Sequence, residues 1–436
     1  MATDYPKMIE IIRELYPGRQ FVPLHEPYFG GNEKKYLQDC IDSTFVSSVG
    51  KYVDRFEEMI SDFTGAKHAI ATVNGTAALH IALLLAGVQR NDLVITQPLT
   101  FIATCNAISY CGAEPVFIDI DRQTLGLSAD ALEAWLSENA TVKDDACYYT
   151  GAREVHELQE RSKQRVDGNT KNRSGLRDKQ QAGFSSLTDY SRTDKSVRIR
   201  EIDGRPKISA CVPMHTFGHP CEITRIVEIC RFYHIPVVED AAESIGSYYK
   251  GRHTGTFGKL GIFSFNGNKT ITTGGGGMIL TDDRELGKLA KHITTTAKNP
   301  HPWEFVHDMV GYNYRLPNVN AALGCAQMEM LPQILESKRE TARAYRDAIA
   351  VMDGVRFVTE PPDCLSNYWL NTVVFNSLEK KDAFLDYSNN NGVMTRPAWT
   401  LMYKLDMFRN AVRGVLPVAE ELSGRLVNIP SSVRKT

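Results

Sequence analysis

The sequence predicts an α/β protein, with a large domain on a mostly parallel sheet of about seven strands and a small C-terminal α+β domain. Three observations carry this. From residue 67 short apolar runs alternate with longer amphipathic ones, two later apolar runs follow each other without a long helix between them, and a long helical pattern then leads into a second group of strands. Strand–helix alternation implies parallel strands with helices on both faces.

The elements read in order as a strand at 67–74 (KHAIATVN), a helix at 75–87, a strand at 92–98, a helix at 101–111, a strand at 114–121 and a helix at 128–139. After an interruption come a strand at 208–215, a helix at 222–233 and a strand at 234–242. The runs 258–268 and 276–283 read as closely joined strands, one of them antiparallel to the rest. A helix from about Pro317 to Ala350 links an arm and large domain at 1–330 to a small domain at 331–436. The small domain holds strands at 368–375 and 393–399 around a helix at 380–392 with an Asn-Gly stop.

Residues 151–207 differ in character. They carry 14 Lys/Arg against 9 Asp/Glu, few large apolar residues and no clean period. Such a segment cannot bury enough surface to fold alone and reads as a mobile surface insertion.

The chain has 436 residues, 42% of them apolar, and a formal net charge of −2, which gives no general pull toward nucleic acid or membrane. No apolar run approaches the ~20 residues of a membrane span. The N-terminus lacks the basic-then-apolar signal pattern. Nine cysteines, none in a C-x-x-C spacing, read as buried free thiols in a reducing cytoplasm rather than as metal ligands or disulfides.

Four local features bear on chemistry. Asp240 ends the apolar run HIPVVED, where parallel strands present functional groups, although an acid there also serves as a cap. Lys269 follows another strand end, FSFNGNK, and precedes a glycine run. Asn74-Gly75-Thr76 joins a strand to a helix, and backbone N–H groups at a helix start favour an anion such as phosphate; the same residues also suit an ordinary cap. Phe101 lies just past a strand end, where an aromatic packs in a core or stacks on a flat ring. Together they supply a phosphate cup, an aromatic shelf, a carboxylate for a pyridinium and a lysine for an aldehyde. That is the set of groups pyridoxal 5′-phosphate needs.

With the motifs SSVGKYVDRFEE (47–58), NGTAAL (74–79), TFIATCNAI (100–108), VPMHTFGHP (212–220), VVEDAAESIGSYYKG (237–251), FGKLGIFSFNGNKTITTGGGGMI (257–279) and GYNYRLPNVNAALG (311–324), the chain resembles the DegT/StrS-type sugar aminotransferases. The likeness runs in order over nearly all of the chain outside 151–207, a region family members cross with far fewer residues. The phrases TTAKNPHPWEFVHD (295–308) and TRPAWTLM (395–402) resemble the branch acting on 4-keto-6-deoxy N-acetylamino sugar nucleotides, as in legionaminic-acid-type pathways.

The resemblance implies the pyridoxal-phosphate-dependent transferase fold of type I, like aspartate aminotransferase. Lys269 would hold the cofactor as a Schiff base and shuttle the proton, and Asp240 would pair with the pyridine nitrogen. Glu243 would approach the phenolic oxygen, a position where many relatives carry Gln. Gly75, Thr76 and Ser264 would bind phosphate, and Phe101 would stack on the ring. Asn313 would reach the phosphate of a neighbouring subunit, implying a homodimer with active sites at the interface; a turn role is its alternative.

On the substrate side, His215 is read either as a sugar-pocket residue or as a core histidine. Arg396 would meet the diphosphate or the donor carboxylate, or lie on the surface, and Ser47 and Ser48 would contact substrate or form a turn. The implied donor is L-glutamate, released as 2-oxoglutarate, and the implied acceptor a nucleotide sugar aminated at C4 for surface glycan synthesis. Three alternatives stand beside this: a sugar dehydratase, whose relatives carry His where this chain has Lys269; an amino-acid-directed enzyme of the same fold; and a catalytically silent binding protein.

Overall fold

The computed structural model describes residues 4–151, 201–202 and 204–434, so most of the expected insertion at 151–207 lies outside the described residues. The helix α1 (Tyr5–Leu15) starts where Asp4 accepts the N–H of Lys7 and a proline occupies its first turn. Its apolar face, Met8, Ile9 and Ile12, packs with Tyr345, Ile349, Val427 and Ile429, so the N-terminal helix belongs to the layer formed by the C-terminal residues.

The central sheet contains β1 (His68–Thr72), β2 (Leu93–Thr96), β3 (Glu114–Phe117), β4 (Arg205–Val212), β5 (Val238–Asp240), β6 (Leu260–Ser264) and β7 (Gly277–Thr281). Parallel bridges from Cys211 to Val237 and from Met214 to Asp240 join its two halves, giving the order β1-β7-β6-β5-β4-β2-β3. Every neighbouring pair is parallel except those made by β7, which runs against both β1 and β6. This is the expected seven-stranded, mostly parallel sheet with one reversed strand.

Both faces are covered, so the strands are apolar throughout rather than alternating. On one face Ile70, Ile262 and Ile279 pack against α2 (Gly75–Ala86). On the other, Ala71, Phe263, Met278 and Leu280 meet Ala321, Ala322 and Cys325 of a long helix, Asn318–Ile349. That helix runs through residue 330, where the sequence suggested a boundary. All nine cysteines are free, eight of them buried. No helix of the described residues is long and apolar enough to cross a membrane.

A hairpin absent from the sequence reading, Ala140–Lys143 with Ala146–Tyr149, adds to β4 through Cys147 opposite Ile208. Its turn residues Asp144 and Asp145 have φ of 50° and 57°, the pair of left-handed residues that a tight hairpin turn requires. The second sheet has β8 (Val355–Phe357), β9 (Asn371–Phe375), β10 (Arg396–Pro397) and β11 (Leu426–Ile429) in the order β8-β9-β11-β10. Two of its strands are shorter than expected. Tyr368, at φ 48°, cannot extend β9 backwards, and β10 sits at the sheet edge with Pro397, which has no N–H to donate.

Strand order and glycine spacing combine where α2 begins. A Cβ on Gly277 would lie 2.5 Å from the carbonyl of Asn74 and 2.7 Å from the nitrogen of Gly75. The glycine run thus lets β7 pass directly beneath the start of α2. Gly277→Ala should lower stability by about 1–3 kcal/mol, read from a urea unfolding midpoint, because the opposing atoms are backbone and cannot rotate away.

Candidate active site

The carboxyl ends of β1, β5 and β6, with the segments following β2 and β4, converge on one cavity of ≈ 240 Å³. This is where parallel sheets place ligands. Asp240 ends β5, Ser264 ends β6, Gly75 and Thr76 open α2, and Phe101 caps α3 (Ile102–Tyr110). All line the cavity together with Glu243 and Lys269. The sequence-predicted cofactor residues other than Asn313 therefore meet in one place.

Close packing shapes one end of this cavity. Asn74 caps α2 by accepting the N–H of Ala77. A Cβ on Gly75 would come within 2.8 Å of the Ser264 Cβ, so the missing side chain is what lets the helix start approach the serine. The result is a small cup of backbone N–H groups at the positive end of a helix, beside the hydroxyls of Thr76 and Ser264. Phe101 is 48% exposed and leaves a ring face available at the mouth.

The opposite side carries charge. Asp240 is 4% exposed; its Oδ2 accepts the Thr104 hydroxyl at 2.7 Å and its Oδ1 accepts the N–H of Ala242 at 3.2 Å. Burial pushes its carboxyl above the ordinary range, while those hydrogen bonds and nearby Lys269 act in the opposite direction. Glu243 accepts the N–H of Phe217 at 2.9 Å on Oε2 and pairs with Lys269 Nζ at 3.2 Å on Oε1. Burial moves this carboxyl from 4.5 up to about 7, opposed by Lys269 and the Phe217 N–H.

These groups fit pyridoxal 5′-phosphate. The cup suits a phosphate, the buried carboxylate suits a protonated ring nitrogen, and the amine suits an aldehyde. Phe217 has φ 57°, a conformation an aromatic residue rarely adopts, and it aims its N–H at Glu243.

Residues 27–142 and 197–436 match the model of the DegT/DnrJ/EryC1/StrS aminotransferase family. The chain belongs to that family. It is 32% identical over 412 residues to GDP-perosamine synthase of Escherichia coli O157:H7, covering 94% of this chain and 93% of the relative. It is 31% identical to GDP-perosamine synthase of Vibrio cholerae, covering 94% of each. Among solved structures, Helicobacter pylori PseC, an aminotransferase involved in the biosynthesis of pseudoaminic acid, superposes with a TM-score of 0.74 at 20% identity, covering 94% of this chain and 93% of that one. The chain is a pyridoxal-phosphate-dependent aminotransferase. The internal stretch between the two matched regions, 143–196, overlaps the expected insertion.

Four expected site residues lie elsewhere. His215 does not line the cavity; it is fully buried beneath it. Its Nδ1 accepts the N–H of Cys221 at 3.1 Å, so that nitrogen carries no proton, and Nε2–H donates to Glu239 at 3.0 Å. Glu239 also accepts the N–H groups of Gly255, Phe257 and Gly258, which makes His215 a core histidine clamping the end of β5. The motif VPMHTFGHP serves the cavity through Met214 and the Phe217 N–H instead. Ser47 is exposed and offers its carbonyl to the N–H of Asn318. Arg396 is exposed on β10, outside the cavity lining, although Trp399 three residues on is within it. Asn313 is exposed and outside the lining, its Oδ1 accepting from Arg315 Nε at 3.1 Å and Nη2 at 2.9 Å.

Sequence reasoning missed Thr104 and Trp369. Thr104 lies one helical turn after Phe101, a spacing that placed both on one face. Trp369 gives no local signal, because a strand-like run hides the turn that presents it.

In the apoprotein, Glu243 contributes stability that is complete below 4.5 and lost as pH rises through about 7, because the fold favours its protonated form. Glu243→Gln cannot ionise. The stability of wild type relative to that variant should therefore fall over this window, by an amount on the order of 2 kcal/mol in chemical denaturation.

Proposed function

We propose that this chain moves an amino group from L-glutamate to C4 of a 4-keto-6-deoxy N-acetylamino sugar nucleotide, supplying a 4-amino sugar for a surface glycan. The observation that carries this is the meeting of Lys269, Asp240 and Glu243 with the Gly75–Thr76–Ser264 cup in one cavity. Curated relatives named for a sugar product, and the phrases TTAKNPHPWEFVHD and TRPAWTLM, support the substrate class.

When bound, pyridoxal phosphate supplies an aldehyde that takes up the amino group and a ring that withdraws electrons from the carbon losing its proton. Asp240 holds a proton at the ring nitrogen, and Thr104 fixes the orientation of that carboxylate. Lys269 Nζ takes the α-proton of glutamate and, in the second half, delivers a proton to C4 of the sugar. Glu243 keeps that amine within reach. Phe101 and Trp399, with ring centroids 6.2 Å apart, form an apolar wall that excludes water from the reacting atoms.

Asn313 supports a homodimer. Its carboxamide oxygen is held by Arg315, which leaves the amide N–H groups as donors on an exposed edge, suited to a phosphate held by a second copy. The names of the curated relatives favour a second reading in which the nucleotide is GDP.

Purified protein should show the visible absorption of lysine-bound pyridoxal, lost on adding L-glutamate and restored by the correct keto sugar nucleotide. Lys269→Ala should lack the visible band, and a persisting band would remove Lys269 from its role. Return of the band with GDP-linked but not UDP-linked 4-keto sugars would select the second reading. Asp240→Asn should bind the cofactor yet lose at least ~100-fold in turnover, measured in single-turnover absorbance traces.

A further inference from the structure

Lys269 is held on two sides that the family resemblance did not assign. Its Nζ lies 3.2 Å from Glu243 Oε1 and 4.0 Å from the centroid of the Trp369 ring. An ammonium over an indole face is attracted by the ring's electron density, and more strongly where water is excluded. Trp369 is 4% exposed and the Lys269 side chain 12%.

The indole is fixed from several directions. Its Nε1–H donates to the carbonyl of Asn268, the residue before the lysine, at 2.7 Å. Its backbone N–H donates to Asn367 Oδ1 at 2.8 Å. Its backbone carbonyl accepts from Lys338, a lysine fully buried in the long helix, whose amine also donates to the carbonyl of Ser431. Asn367 in turn donates to the carbonyls of Glu243 and Ile245, tying the turn before β9 to the segment after β5. A buried indole N–H requires an acceptor, and here that acceptor is the lysine's own neighbour, which fixes the ring against the lysine.

We propose that Trp369 and Glu243 form a parking site for the free ammonium of Lys269, and that Trp369 is a positioning residue for the reaction. This rests on the reading of Lys269 as the residue bonded to the cofactor. The first half-reaction consumes one glutamate and one water, releases 2-oxoglutarate, and leaves Lys269 with a free amine that takes up a proton. That charge then sits in a cavity largely closed to water. The carboxylate neutralises it from one side and the indole face holds it from the other, so the amine stays in reach for the second half. The parking site stabilises the amine-loaded enzyme relative to the lysine-bound one and therefore sets the balance between the two forms.

The test uses the full-length holoenzyme with mixtures of L-glutamate and 2-oxoglutarate, following the ratio of the two forms by absorbance at equilibrium. Trp369→Leu should need about 3- to 10-fold more glutamate per 2-oxoglutarate for half-conversion, and Trp369→Phe a smaller excess, because a benzene face is a weaker site for a cation. If Trp369→Leu does not fold, the Trp399→Phe variant, which lacks the other cavity indole, should shift the balance the same way when grown with fluorinated tryptophan, relative to the same variant grown with ordinary tryptophan. Folded variants and fluorinated protein that convert at the unmodified ratio would overturn the proposal and leave Trp369 a packing residue. Survival of the visible band in Lys269→Ala would instead overturn the underlying reading, so the two failures are distinguishable.

Discussion

A buried carboxylate at the end of a buried strand costs free energy unless something cationic faces it, and Asp240 is in that position. The Thr104 hydroxyl and the Ala242 N–H orient its two oxygens but remain neutral donors. Glu243, three residues on, adds a second buried acid, and Lys269 is the cation that lines the same cavity. A ring with a protonated nitrogen would set a cation against Asp240, and the Lys269 amine already faces Glu243. The cavity thus gathers two buried acids and a lysine at the centre of an otherwise apolar sheet.

That arrangement depends on close packing several residues away. β7 slides beneath the start of α2 because Gly277 and Gly75 carry no side chains, and the approach sets the phosphate cup against Ser264. Glu239 points away from Asp240 and gathers His215 with three backbone N–H groups, anchoring the strand end that presents the aspartate. Phe217, in an unfavourable backbone conformation, spends that strain on one N–H directed at Glu243. Asp240, Ser264 and the start of α2 are thus fixed by regular elements, while Glu243 and Lys269 reach the cavity from turns.

Asp240, Gly75 and Thr76 were legible because they sit at a strand end and a helix start, which hydrophobic pattern marks, while Ser264 and Glu243 were expected only from the family resemblance. Asp240 and Gly75 stand where short apolar runs stop, and the runs follow in the order that a parallel sheet imposes. The substrate half was less legible. Ser47 and Arg396, like the expected cofactor residue Asn313, occupy exposed positions of one chain, and nothing in local pattern says which surface an exposed residue faces. His215 stayed open between two readings for a physical reason: a histidine after a strand looks the same in sequence whether its ring turns to the cavity or to a carboxylate behind the strand.

By itself the sequence determined the strand–helix order and a reversal within the last two strands of the large sheet, and it singled out the lysine, the carboxylate and the helix start that the structure brings to one cavity, since periodicity and glycine placement act through neighbours along the chain. Only the tertiary structure decided that His215 faces Glu239, that Thr104 bonds Asp240, and that Trp369 underlies Lys269 from a turn 100 residues downstream. Those contacts join segments far apart in sequence, and what fixes them is the space and hydrogen bonds left when the sheets have packed.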